Sequence, residues 1–138
     1  MADVKILPSS KESEEALLGA VITGGGVVYE KIVGWIREPD AFYYTDNKII
    51  WEIITELIKN HEPADEITII SRLKEKSPKS KLSYYITGLR DRTPTTANAE
   101  SYAKIIWEKY IQRLTAKSAY KIYRTSFDNK DETAELLN

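Results

Sequence analysis

From Ala97 to Phe127 the chain runs without a proline or a glycine. A helix of that length, rising about 1.5 Å per residue, is on the order of 45 Å long, whereas a small domain is roughly 30 Å across. The 138 residues make one ordinary domain, able to bury roughly 65 to 70% of its unfolded surface in a single core. The closing helix must therefore begin in that core and run out beyond it.

The rest of the chain also reads as helix. Pro8 and then Ser9, with Glu12 three residues on, reads as a capping box opening a helix that carries Ala16, Leu17, Ala20 and Val21. Gly24, Gly25 and Gly26 stop it, and a shorter apolar segment follows with Val28, Ile32, Trp35 and Ile36 until Pro39 breaks it. Phe42, Tyr43 and Tyr44 cluster before the next cap. Ile49, Ile50, Ile53, Ile54, Leu57 and Ile58 then repeat as pairs every fourth residue, the pattern of a core helix. Asp65 is placed to cap a helix whose stripe is Ile67, Ile70 and Leu73, and a short helix with Leu82, Tyr85, Ile86 and Leu89 follows the loop at Ser77 to Lys81. No period-2 strand or internal repeat is present, so the expected class is all-α: about five short helices in a compact head over residues 1–100, and a long helix from 101 onward. Asp128 to Lys130 break that helix. Asp131 or Thr133 can cap another, which the chain leaves before three turns are complete, the look of a boundary within a longer protein.

Composition removes whole classes of chemistry. Zero cysteines exclude disulfides and thiolate metal sites, and one histidine excludes a multi-histidine metal site within one copy. No Gly-x-x-x-x-Gly-Lys-Ser/Thr phosphate loop is present, and the run from Gly24 to Gly26 is followed by Val27, Val28 and Tyr29 rather than lysine and hydroxyl. His61 sits in a turn with no marked nucleophile or orienting carboxylate. Asp65 with Glu66, and Glu14 with Glu15, lie in first helical turns where the macrodipole favours negative charge. These readings leave no catalytic, cofactor-binding or metal-ligating residues. Met1 to Ser13 form neither a signal peptide nor a spanning segment, so the expectation is a cytoplasmic protein without membrane contact.

Two features ask for more than a solvated surface. On the long helix Ile106, Tyr110, Leu114, Ser118 and Ile122 form one column, and Trp107, Ile111, Thr115, Ala119 and Tyr123 its neighbour. Left in water, Tyr110, Leu114, Ile122 and Tyr123 would each forfeit roughly 1.5 to 3 kcal/mol, together comparable to a domain's stability. A second molecule must cover them, or the chain must fold back on itself. The expected association interface is Ile106, Tyr110, Ile111, Leu114, Ile122 and Tyr123. The second feature is a ridge of Lys109, Arg113, Lys117, Lys121 and Arg124, within a Glu100 to Arg124 stretch holding six basic residues against two acidic ones. The net charge of the whole chain is only -1, so any attraction for nucleic acid or an acidic protein surface must be local to this ridge.

Leu7-Pro8-Ser9-Ser10 with Glu14-Glu15-Ala16-Leu17-Leu18-Gly19, Asp40-Ala41-Phe42-Tyr43 before Asn47-Lys48-Ile49-Ile50, and Pro63-Ala64-Asp65 before Ile67-Thr68 resemble, in order, the N-terminal domain of DnaB-type replicative helicases. Thr93-Pro94-Thr95-Thr96-Ala97-Asn98, followed by Tyr102-Ala103, is similar to the family's Thr-Pro-x-x-Ala-Asn element that opens its long helix. Lys79-Ser80-Lys81 stands where the family usually carries a Gly-Gly pair, and the triple glycine replaces a polar turn.

The resemblance implies a non-catalytic collar module: a helical head over 1–100, with 101–138 forming the first helix and the opening of the second in a hairpin that pairs between subunits of a hexamer. It implies self-association as a dimer building towards that hexamer, and docking of primase or a helicase loader, from a bacterial or phage source. ATP, magnesium and single-stranded DNA belong to a C-terminal motor domain that this chain lacks. The competing readings are a helical nucleic-acid-binding module using the basic ridge, and a free-standing protein that interacts with a helicase.

Overall fold

The computed structural model describes residues 7–93 and 95–128. Six α-helices and one 3-10 turn follow one another: α1 (Lys11–Gly24), α2 (Gly26–Ile32), the turn Pro39–Ala41, α3 (Thr45–Lys59), α4 (Glu66–Lys76), α5 (Leu82–Asp91) and α6 (Ala99–Thr125). Among the described residues there is no strand. The helix expected after Asp131 lies outside them.

Helix α1 is the centre of the packing, in contact with α2, α3, α5 and α6. Leu17, Leu18, Ala20 and Val21 are fully buried there. The cap is one residue later than the Ser9 and Glu12 pair suggests: Ser10 Oγ accepts the Ser13 N–H at 3.3 Å. Gly25, at φ 65°, makes the turn between α1 and α2, a backbone region open chiefly to glycine. Gly19 answers a different need. A Cβ there would lie 2.5 Å from the Leu89 carbonyl oxygen and closer still to Thr93, so only glycine lets α1 cross the end of α5.

Helix α3 buries Ile50, Ile53, Ile54 and Leu57 on the face the isoleucine pairs define, together with Trp51, whose ring stacks on Tyr29 at 5.4 Å. Asp65 caps α4 as expected. Its carboxylate accepts the Thr68 N–H at 2.9 Å, and Thr68 Oγ1 accepts the Asp65 N–H at 3.0 Å. The buried stripe of α4 is Ile69 and Leu73 rather than Ile67, which is 79% exposed. At about 100° per residue Ile67 lies some 200° from Ile69, on the opposite face. Glu56 and Glu62 pair with Arg72, and Glu56 also with Lys76, tying α3 to α4.

Helix α6 docks through Ala99, Ala103, Ile106, Tyr110 and Arg113, against α1, α2 and the turn Pro39–Ala41. The head's packing thus continues past residue 100 to Arg113.

Candidate interaction surface on the last helix

Arg113 divides α6. Up to it, the helix belongs to the head; Ile106 is buried, and Tyr110, also buried, donates its hydroxyl to Glu38 Oε1 at 2.8 Å. Neither of these two expected interface residues is free, because both lie on the row that meets α1, α2 and the turn. Arg113 is a correction to the basic ridge. Only 4% exposed, its guanidinium donates to the carbonyl oxygens of Pro8 (2.9 Å), Ala41 (2.8 Å) and Asp40 (3.3 Å). It also lies over the rings of Tyr43 and Tyr110, 5.3 and 5.6 Å from their centroids. Burial pushes its pKa down, and the charge of Glu14 opposes that.

Glu14 is the second correction. The first-turn position suggests a negative charge favoured by the helix macrodipole and nothing more, yet this side chain is buried. It accepts the N–H of Tyr43 at 2.9 Å, the side-chain amide of Asn47 at 3.0 Å and the N–H of Tyr44 at 3.4 Å. Asn47 Oδ1 in turn accepts the Tyr85 hydroxyl. Burial holds the Glu14 carboxyl above its ordinary range, with the Asn47 amide, the two backbone N–H groups and then Arg113 pulling the other way. The segment from Glu38 to Asn47 is thus fastened on one side by α1 and on the other by α6.

Past Arg113 the docking row changes character. At about 100° per residue, Lys117, Lys121 and Arg124 continue the side of α6 that carries Ala103, Ile106 and Tyr110. An unpaired ammonium is too costly to bury, so packing on the head ends there. About 100° to one side runs an apolar strip of Ile111, Leu114, Ser118 and Ile122; Leu114 is 42% exposed and Ile122 48%. About as far to the other side stand Tyr120, Tyr123 and Phe127, with Tyr123 62% exposed and its ring in edge contact with Phe127 at 5.0 Å. Of the expected interface, Ile111, Leu114, Ile122 and Tyr123 are therefore displayed on the surface of the chain. Of the expected ridge, Lys117, Lys121 and Arg124 are exposed and Lys109 half-buried.

The phase of Arg113 was the missed signal, since residues 99, 103, 106, 110 and 113 keep the spacing of three and four that marks one helical face. Elsewhere, His61 is exposed in its turn with φ 59°. Among the described residues no group of three or more His, Cys, Asp or Glu side chains is placed to hold a metal ion. No helix among them is long and apolar enough to cross a membrane.

The DnaB-like helicase N-terminal domain family model matches residues 6–108. The replicative DNA helicase DnaC of Bacillus subtilis is 29% identical over 97% of this chain and 30% of its own length. The replicative DNA helicase DnaB of Buchnera aphidicola is 32% identical over 96% of this chain and 29% of its own. The chain thus spans about three tenths of the length of these relatives. The crystal structure of the N-terminal domain of DnaB helicase from Mycobacterium tuberculosis shares the fold, with a TM-score of 0.86 at 22% identity over 96% of this chain and 93% of that one. Because the family model matches residues 6–108, most of its length, the chain belongs to the DnaB-like helicase N-terminal domain family.

Proposed function

We propose that the chain is the non-catalytic collar domain of a hexameric replicative DNA helicase, joining subunits through the distal half of α6. The observation that carries this reading is the apolar strip of Ile111, Leu114 and Ile122, displayed on a helix that has already left its own head. Covering each of these half-exposed side chains is worth about 1 kcal/mol, so a partner that covers the whole strip gains several. A second copy of the same helix is the partner that a ring-forming assembly supplies. The head is the docking face for primase or a helicase loader. ATP, magnesium and the translocated single strand fall to the seven tenths of such a relative that this chain does not span. The setting is cytoplasmic.

Light scattering across a concentration series tests the subunit face. Self-association that weakens in Leu114→Glu and Ile122→Glu is expected. A chain that stays monomeric at high concentration, with both variants indistinguishable from it, overturns the reading.

A second reading is favoured by Lys117, Lys121 and Arg124 standing exposed between the apolar strip and the aromatic side chains of Tyr120, Tyr123 and Phe127. Cations flanked by free rings suit single-stranded nucleic acid. The signature is steeply salt-dependent affinity for a single-stranded oligonucleotide, lost in the double variant Lys117→Glu with Lys121→Glu. No binding at low salt removes it.

A further inference from the structure

We propose that Arg113 is a positioning residue, a guanidinium clasp that fixes the direction in which the distal half of α6 leaves the head. A guanidinium is an expensive choice for a buried position. Desolvation costs several kcal/mol, and apolar replacements of buried ions are often neutral or stabilising. What an apolar side chain lacks is direction, because its attraction depends on area removed from water and hardly on angle. The planar fork of arginine carries donors at fixed angles. Here those donors reach two separate segments: Pro8 ahead of α1, and Asp40 and Ala41 in the turn before α3. The second segment is itself held to α1, because Glu14 fixes the N–H groups of Tyr43 and Tyr44. Arg113 is therefore bonded to a frame rather than to a loose loop.

Its place along the helix gives the clasp its leverage. It is the last buried residue of α6. Beyond it, from Leu114 to Thr125, no further side chain of α6 is buried against the head. The docked row from Ala99 to Tyr110 holds the helix against the head, and Arg113 is the holding point nearest to the free half. The consequence for subunit pairing rests on the proposed subunit face; the clasp itself does not.

The chain has no cysteine, so Ser71→Cys on exposed α4 and Lys121→Cys on distal α6 can carry a spin-label pair without background. Dilution with unlabelled chain keeps the measured distances within one molecule. A swing of about 20° over the roughly 12 Å between Arg113 and Lys121 moves the label by about 4 Å, which pulsed electron-electron distance measurement resolves. The expected result is a narrow distribution with Arg113 present. In Arg113→Met, and in Arg113→Lys, which keeps the charge but loses the fork, it is broadened and displaced, while far-UV circular dichroism remains native. Native distributions in both variants overturn the proposal. So does unfolding of both, which would make Arg113 a residue of core stability rather than of direction. If only Arg113→Met fails to fold, Arg113→Lys decides. Should light scattering find the unsubstituted chain monomeric, the subunit face falls while the distance result still stands for or against the clasp.

Discussion

Removing the Glu14 side chain separates two explanations of an acidic residue near a helix start. If the macrodipole of α1 is its main role, Glu14→Ala costs about 0.3 to 1 kcal/mol. The structure gives a larger figure. Truncation leaves the Tyr43 N–H and the Asn47 amide, bonded at 2.9 and 3.0 Å, without an acceptor in a buried place, and removes the longer Tyr44 contact at 3.4 Å as well. Each buried donor left unpaired costs about 1 to 3 kcal/mol, and Arg113 loses its nearby counter-charge. Release of the desolvated carboxylate returns part of this, so the expected net loss is about 3 kcal/mol, a large share of a domain's usual 5 to 15. Urea unfolding followed by tryptophan fluorescence reads it as a lower midpoint at unchanged slope. Glu12→Ala, at an exposed position of the same turn, serves as the control and should stay within about 0.5 kcal/mol. A Glu14→Ala loss below about 1 kcal/mol would refute the buried-acceptor argument and return the residue to the helix dipole. The pH dependence supplies an independent sign. Because the folded pKa lies above 4.5, protonation of Glu14 stabilises the fold, an effect fully present below 4.5 and lost as pH rises through the folded value. The stability gap between the unsubstituted chain and Glu14→Ala should therefore widen as pH falls from 7 into that window. A gap that narrows on acidification contradicts the raised pKa.

Four further substitutions test the packing. Gly19→Ala brings a Cβ to 2.5 Å from the Leu89 carbonyl oxygen; the resulting shift should outweigh the gain of about 1 kcal/mol in helix propensity and lower the melting temperature. Asp65→Ala removes the capping box of α4 and should cost about 1 kcal/mol in urea unfolding. Ile106→Ala should cost about 3 kcal/mol, whereas Leu114→Ala, measured at a dilution where the chain is monomeric, should cost less than about 1 kcal/mol. Equal losses for that last pair would mean that the distal strip is buried within its own chain.

What the sequence disclosed depended on whether an element's partners lie close along the chain. The isoleucine pairs of α3 and the unbroken run of α6 announce themselves through period and length, which need no knowledge of neighbours. The cap of α4 is equally local, Asp65 and Thr68 being three residues apart. Ile67 misled because the N-terminal turn of α4 offers isoleucine at 67, 69 and 70, and only the packing of α4 on α3 and α5 selects 69. Glu14 and Arg113 were hidden for a stronger reason. Their burial is tolerable only because backbone groups about 30 residues away from Glu14, and 72 to 105 residues away from Arg113, are brought to them by the fold. Without those acceptors and donors a buried carboxylate or guanidinium is prohibitive, so a reading confined to one helix assigns both to solvent. The phase of Arg113 argued otherwise: it stands in register with Ala99, Ala103, Ile106 and Tyr110, whereas Lys117 and Lys121, in the same register further on, are exposed. What distinguishes these basic residues is reach. Arg113 lies opposite the carbonyl groups of Pro8, Asp40 and Ala41, whereas among the described residues neither lysine side chain bonds a backbone carbonyl.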